Sequence, residues 1–160
     1  MTQDDKAVQK ALGRALNLIS YRQRTESELR RRLSEKAVPD VVDVAVEQLK
    51  ERGLIDDAKY AREWSDSRSR RSPRSSRMIV RELVNKGVSP HLAELSVEEL
   101  DDDDTAHDAA SRFAMRLADA DYEQFHRRLW GHLQRRGYGS GVSRRVISRL
   151  WQQRQKDLTQ

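Results

Sequence analysis

A spacing of fifty residues recurs along this chain of 160 and limits what it can fold into. Leu29, Ile79 and Leu129 are fifty apart, as are Leu33, Leu83 and Leu133, and Lys36, Lys86 and Arg136. The next two columns read Ala37, Gly87, Gly137 and Val38, Val88, Tyr138. Each copy is an apolar i, i+4 pair, then a basic, a small and an apolar residue. Leu92, Leu95, Val97 and Leu100 align at fifty with Val142, Arg145, Ile147 and Leu150. They also align with Val41, Val44, Val46 and Leu49 if one residue is missing after Val38. A repeat of this length is one supersecondary unit, too small to bury its own apolar face and obliged to stack on its neighbours.

Local signals place three helices in each copy. Ala7, Val8, Ala11, Leu12, Ala15, Leu18 and Ile19 form one apolar face at helical spacing. Thr25-Glu26-Ser27-Glu28 predicts a capping box, with Glu28 reaching back to the Thr25 amide. Asp40 is expected to cap a third helix that Gly53 ends. The second copy starts at Asp56 or Asp57. Ser72-Pro73 and Ser89-Pro90 read as N-cap and first helical residue of its later helices, the last running to Leu100. In the third, Ala106, Ala110, Phe113, Ala114 and Leu117 share a face, as do Tyr122, Phe125, Leu129 and Leu133, and Gly137-Tyr138-Gly139 breaks the chain before Val142, Val146, Ile147 and Leu150. No segment alternates as a strand does. The expected fold is all-α: three tandem three-helix repeats at 1–53, 54–102 and 103–155, with 156–160 as a disordered tail. With 36% hydrophobic and 36% charged residues, small stacked cores suit the chain better than one large core.

The charge has a pattern. Net charge is +5, and 24 of the 31 basic residues are Arg. Codon usage in a GC-rich genome accounts for the number equally well, so position matters more. Between Ser67 and Arg81 lie Arg68, Arg70, Arg71, Arg74, Arg77 and Arg81 and no acid. Arg74, Arg77 and Arg81 are spaced to share a helix face. Arg68, Arg70 and Arg71 suit the negative end of a helix, but Arg74 and Arg77 fall at a helix start, where that explanation fails. This segment is expected to meet phosphates or an acidic protein surface. A second basic region holds Arg127, Arg128, Arg135, Arg136, Arg144, Arg145 and Arg149; Arg128, Arg135 and Arg136 fall on one helical stripe with His132 between, which a solvated helix face explains as well. Glu26, Glu28 and Glu35 surround Arg30-Arg31-Arg32, so ion pairs suffice there. The run from Glu98 to Asp104 reads as a helix cap or hinge.

Enzyme chemistry finds little footing. With no cysteine, disulfides, thiolate metal sites and thiol catalysis are excluded. His91, His107, His126 and His132 include no i, i+4 pair, so no metal site is expected. There is no phosphate-binding glycine loop and no nucleophile elbow. Trp64, Trp130 and Trp151 read as packing residues. No apolar run is long enough to span a bilayer and no signal peptide is evident. A cytoplasmic protein without enzyme activity, cofactor or membrane partner is expected.

Four segments carry a family resemblance. Thr25-Glu26-Ser27-Glu28-Leu29-Arg30-Arg31-Arg32-Leu33, within Ala11 to Leu49, resembles the N-terminal signature of the RecX family of RecA regulators. Leu49-Lys50-Glu51-Arg52-Gly53-Leu54-Ile55-Asp56-Asp57-Ala58-Lys59-Tyr60-Ala61 resembles its most recognisable motif. Glu82-Leu83-Val84-Asn85-Lys86-Gly87-Val88 and Leu133-Gln134-Arg135-Arg136-Gly137-Tyr138 are similar to its later repeats. Their order and spacing cover about residues 7 to 153. The resemblance implies an elongated, curved helical array that binds the RecA filament, contacts DNA phosphates within it, and inhibits filament extension, ATP hydrolysis and strand exchange in recombination and the SOS response. A monomer is expected. Ala37 stands where the family commonly has glycine, so the first repeat needs another helix end, and Asp101 to Asp104 is unusually acidic for a repeat junction. Two rivals are a direct DNA-binding protein of helix-turn-helix-like repeats and a helical protein-interaction adaptor. Against the first, the three tryptophans occupy no equivalent positions, and Ser89 to Leu100 carries no Arg or Lys.

Overall fold

The computed structural model describes residues 1–160, and they form helices with no strand. The first repeat holds α1 (Gln3–Tyr21), α2 (Glu26–Ser34) and α3 (Pro39–Glu51). The second holds α4 (Asp57–Arg71), α5 (Ser76–Asn85) and α6 (Pro90–Ser96). The third holds α7 (Asp102–Ala114), a 3₁₀ turn (Met115–Leu117), α8 (Tyr122–Arg135) and α9 (Ser140–Leu158). None of these helices is long and apolar enough to cross a membrane. The fifty-residue columns are core positions: Leu29, Leu33, Ile79, Leu83, Leu129 and Leu133 are all fully buried.

The chain forms two compact units, and their limits are not those of the repeats. The first unit is Met1–Trp64 with Glu82–Ser96; the second is Ser65–Arg81 with Val97–Gln160. The middle repeat is divided, with α4 and α5 each giving one end to either unit. Each unit holds the core of a terminal repeat. In the first, Ala11, Leu12 and Ala15 of α1 pack with Leu29 and Leu33 of α2 and Val42, Val46 and Leu49 of α3. In the second, Ala106, Ala109 and Ala110 pack with Phe125, Leu129, Leu133, Val146 and Ile147.

Each unit also contains one joint between consecutive repeats, and the two joints follow one scheme. In the first, the Thr25 hydroxyl accepts from the Glu28 amide at the start of α2 and donates to the Lys86 carbonyl just past α5 (2.7 Å). The Asp57 carboxylate, first residue of α4, accepts from the Glu26 amide (2.9 Å). In the second joint, Ser75 Oγ accepts from the Met78 amide, the Ser75 amide donates to the Arg136 carbonyl (3.0 Å), and Asp102, first residue of α7, accepts from the Ser76 amide (2.9 Å). Thus the starts of α2 and α5 are each capped by their own hydroxyl residue and by the aspartate that opens α4 or α7 respectively, satisfying amides that have no helical partner.

The glycine columns follow from this close approach. Gly87 and Gly137 have φ of +93° and +88°, and the following Val88 and Tyr138 amides bond back to Leu83 and Leu133. A Cβ on Gly87 would stand 2.3 Å from Ser27 Cβ; one on Gly137 would stand 2.6 Å from Ser75 Oγ and 2.8 Å from Met78 Cβ. Gly53 ends α3 at φ +70°, as expected, but nothing lies within 4 Å of where its Cβ would be. At Ala37 no left-handed residue is used: the Lys36 and Ala37 amides both turn back to the Leu33 carbonyl.

Several boundary expectations need correction. Ser72-Pro73 does not open α5; both lie in the connection, and Ser75 is the cap. Asp40 does not cap α3, because Pro39 is already its first residue and Val38 its N-cap. At α2 only half the capping box forms: Glu28 turns its carboxylate to Arg22 and Arg24 instead of the Thr25 amide. A complete box, Thr2 with Asp5, opens α1. Helix α6 stops at Ser96 rather than Leu100, and α9 continues through Leu158, past the point at 155 where a tail was expected.

Candidate functional site

All ten candidate arginines fall within the second unit. Arg68, Arg70 and Arg71 occupy the last turn of α4, where their charge suits the helix's negative end. Arg74 lies in the connection, not on α5, so the expected three-residue face shrinks to Arg77 and Arg81. Arg127, Arg128 and Arg135 lie exposed on α8, and Arg136 caps its end, half-buried. The ten do not form one surface cluster of equal members. Arg136 is built into the joint, donating to Ser72 Oγ (2.9 Å) and the Pro73 carbonyl (3.0 Å). Arg128 lies over the Phe113 ring, 5.7 Å from its centroid.

Where α4 ends, the structure adds two arginines that the sequence reading passed over. Arg112 on α7 donates to the Arg70 carbonyl (2.9 Å) and, at longer range, to that of Arg71, capping the C-terminus of α4. Arg116 follows one turn on. Together Arg71, Pro73, Ala109, Arg112, Phe113, Arg116, His132 and Arg136 line a cleft of about 270 Å³. Phe113 forms part of its floor, with the His132 ring stacked on it at 4.3 Å between centroids. Four guanidiniums and an imidazole face this space, and no carboxylate does. Burial pushes the His132 imidazole below its ordinary value, and Arg136, Arg135 and Arg116 push it further. Burial also lowers Arg136, with Arg74, Arg112 and Arg135 adding to the effect. Arg112 and Arg116 stand alone in an alanine-rich stretch some forty residues after Arg71. Only their i, i+4 spacing hinted at a shared face.

The corresponding part of the first unit is electrically balanced. Trp64 Nε1 donates to Glu82 (2.8 Å), and Lys86 Nζ sits 4.5 Å from the Trp64 ring. Glu82 and Lys86 are the fifty-residue counterparts of His132 and Arg136. The Arg30–Arg32 cluster is paired only in part as its spacing implied: Arg30 pairs with Asp43 (2.6 Å) and Glu26 (3.5 Å) and Arg32 with Glu35 (3.9 Å), while Arg31 makes no ion pair. Glu28 serves Arg22 and Arg24 instead. The acidic run proves to be capping chemistry. Asp101 accepts from the Asp103 and Asp104 amides, Asp102 caps α5, and Asp103 pairs with Arg145 (2.9 Å).

Two family models match this architecture, one described as the first three-helix domain of RecX over residues 11–49 and one as the second over residues 56–95. Regulatory protein RecX of Corynebacterium efficiens is 32% identical over 92% of this chain and 74% of its own. The chain belongs to the RecX family. Regulatory protein RecX of Chlorobium limicola is 31% identical, covering 92% of this chain and 94% of its own. The crystal structure of RecX from Lactobacillus salivarius shares the fold, with a TM-score of 0.79 at 22% identity over 91% of this chain and 97% of that one. RecX relatives are named as regulatory proteins, which gives the chain a regulatory role.

Proposed function

We propose that the chain regulates RecA by binding the RecA–DNA filament, where it restrains filament extension, ATP hydrolysis and strand exchange during recombination and the SOS response. It does so as a monomer in the cytoplasm, by binding rather than by catalysis, with repeats at 1–53, 54–102 and 103–155 as its building units. The observation that carries this reading is the segregation of charge. Ten candidate arginines belong to the second unit, while the arginine cluster of the first is spent largely on internal ion pairs. A filament groove lined by acidic protein surface and DNA phosphates is complementary to such a unit. Exposed arginines there steer association and are screened within roughly 8–10 Å at physiological salt.

The test measures inhibition of RecA's ATPase on single-stranded DNA across a salt series. Replacing Arg70, Arg71, Arg74 and Arg77 with Ala should weaken inhibition about tenfold, an effect of roughly 1.4 kcal/mol, and flatten its salt dependence while helicity is kept. The same change at Arg30, Arg31 and Arg32 should do much less. A stronger effect at Arg30–Arg32 with folding intact would place the binding face in the first unit. Binding to naked DNA as tight as binding to the filament would replace this reading with direct DNA recognition.

A further inference from the structure

We propose that the cleft between the end of α4 and the α7–α8 face is a binding site for a single phosphate group. Its wall is cationic on three sides: Arg71 from α4, Arg112 and Arg116 from α7 and the turn after it, and His132 and Arg136 from α8. Two of the arginines, exposed Arg112 and half-buried Arg136, are held in place. Arg112 is fixed by the α4 carbonyls, and Arg136 by Ser72 and Pro73. Arg71 and Arg116 line the cleft as exposed residues, and neither side chain takes part in a hydrogen bond or ion pair. Like charges gathered in a part-buried cleft repel one another, and an anion of matching size offsets that repulsion. A planar carboxylate is satisfied by one guanidinium fork. Donors converging from three elements suit a tetrahedral anion better, and a volume near 270 Å³ lies at the small end of ligand pockets. The counterpart of His132 in the preceding repeat is Glu82, whose negative charge would repel such a ligand; the loss of that charge at this column is what opens the site.

The group can come from two sources, free phosphate or nucleotide in solution, or a phosphodiester of a nucleic-acid strand. The inference does not rest on a recombinase partner, and its test uses no filament, so either reading can fail without the other. His132 is the reporter. The groups facing it are Arg135 and Arg136 on its own helix, Arg128 one turn earlier, Arg112 on α7, Arg116 in the turn and Arg71 at the end of α4. An anion among them should raise the His132 titration midpoint, followed by its ring-proton NMR signal, by about one unit at saturating inorganic phosphate relative to chloride at equal ionic strength. Arg116→Gln, a change at an exposed residue with no internal partner, should remove most of that rise while leaving the thermal midpoint in place. A mononucleotide that acts at lower concentration than a short single-stranded oligonucleotide identifies a soluble ligand; the reverse order identifies a strand. The proposal is overturned if phosphate leaves His132 unmoved, if Arg116→Gln responds as the parent does, or if glutamate at equal concentration moves His132 as far as phosphate.

Discussion

The two joints are built to one plan but fastened differently. In the first, the hydrogen bond between repeats is made by a side chain, the Thr25 hydroxyl to the Lys86 carbonyl. In the second the corresponding bond runs from the main chain, the Ser75 amide to the Arg136 carbonyl, and the Arg136 guanidinium adds bonds to Ser72 Oγ and the Pro73 carbonyl. The surroundings differ in charge. Glu26, Glu28 and Asp57 face Arg22, Arg24, Arg30 and Lys50 near the first joint, whereas the second adjoins a cleft of arginines. One joint is specified chiefly by residue identity and is internally neutralised. The other would form with many residues at position 75 and keeps its charge for something else. Structural duplication thus preserved the glycine and the capping aspartate, and left the electrostatics free to diverge.

Removing the glycines should give the largest effects and tests the shared part of the plan. Gly87→Ala and Gly137→Ala combine a left-handed backbone, about 1–2 kcal/mol for an L-residue, with a clash of the kind that costs about 1–3 kcal/mol. Each should lower stability by roughly 2–5 kcal/mol in urea titrations followed by circular dichroism. Gly53→Ala has the backbone cost alone and should lose about 1–2 kcal/mol. If all three fell equally, close approach between repeats would not be what selects glycine.

Hydroxyl removal sharpens the difference between the joints. Thr25→Val deletes the cap and removes the partner of the part-buried Lys86 carbonyl, a loss of about 1–3 kcal/mol. Ser75→Ala deletes only the cap, at about 1 kcal/mol, because its amide still reaches Arg136. Equal losses would erase the distinction.

Acid should separate the units by the smallest effect. His132 is held below its ordinary value of 6.5. Its neutral form is favoured in the fold, so its contribution is intact above that value and is lost as pH falls through it. The carboxylates act later. Burial alone would raise Glu28, but Arg22 and Arg24 outweigh it and leave the group below 4.5, so its contribution disappears only as pH falls through that lower range. Asp57, raised chiefly by burial, works in the opposite sense there. Amide-exchange protection, measured against the intrinsic exchange rate at each pH, should therefore fall in the second unit before the first between pH 7 and 5.5, and His132→Gln should abolish the lead. Simultaneous loosening would remove the electrostatic contrast.

Much of this fold was legible because buried leucines and chain-reversing glycines impose fixed spacings. Leu29, Leu33 and their counterparts marked the core correctly. The caps were harder to read, since several polar residues competed for each helix start. Ser72-Pro73 carried the expected pattern, yet Ser75, fifty residues after Thr25, is the residue that caps. The arginine runs were legible because they are dense in sequence, and all ten candidates fall in one unit. Arg112 and Arg116 escaped because their company is tertiary: only folding brings them to Arg71 and His132.

Ala37 is the counterpart of Gly87 and Gly137, and its methyl group makes the repeats unequal as parts. Gly87 and Gly137 turn left-handed and let the cap of the preceding repeat come close; Ala37 neither turns that way nor lacks a side chain. The first repeat presents its α2 start to a successor but lacks the left-handed glycine with which the later repeats receive one. Anyone lengthening the array by design would have to mutate Ala37 to glycine before adding a module ahead of α1, whereas the later repeats already accept a predecessor. A single carbon gives the series a direction of assembly.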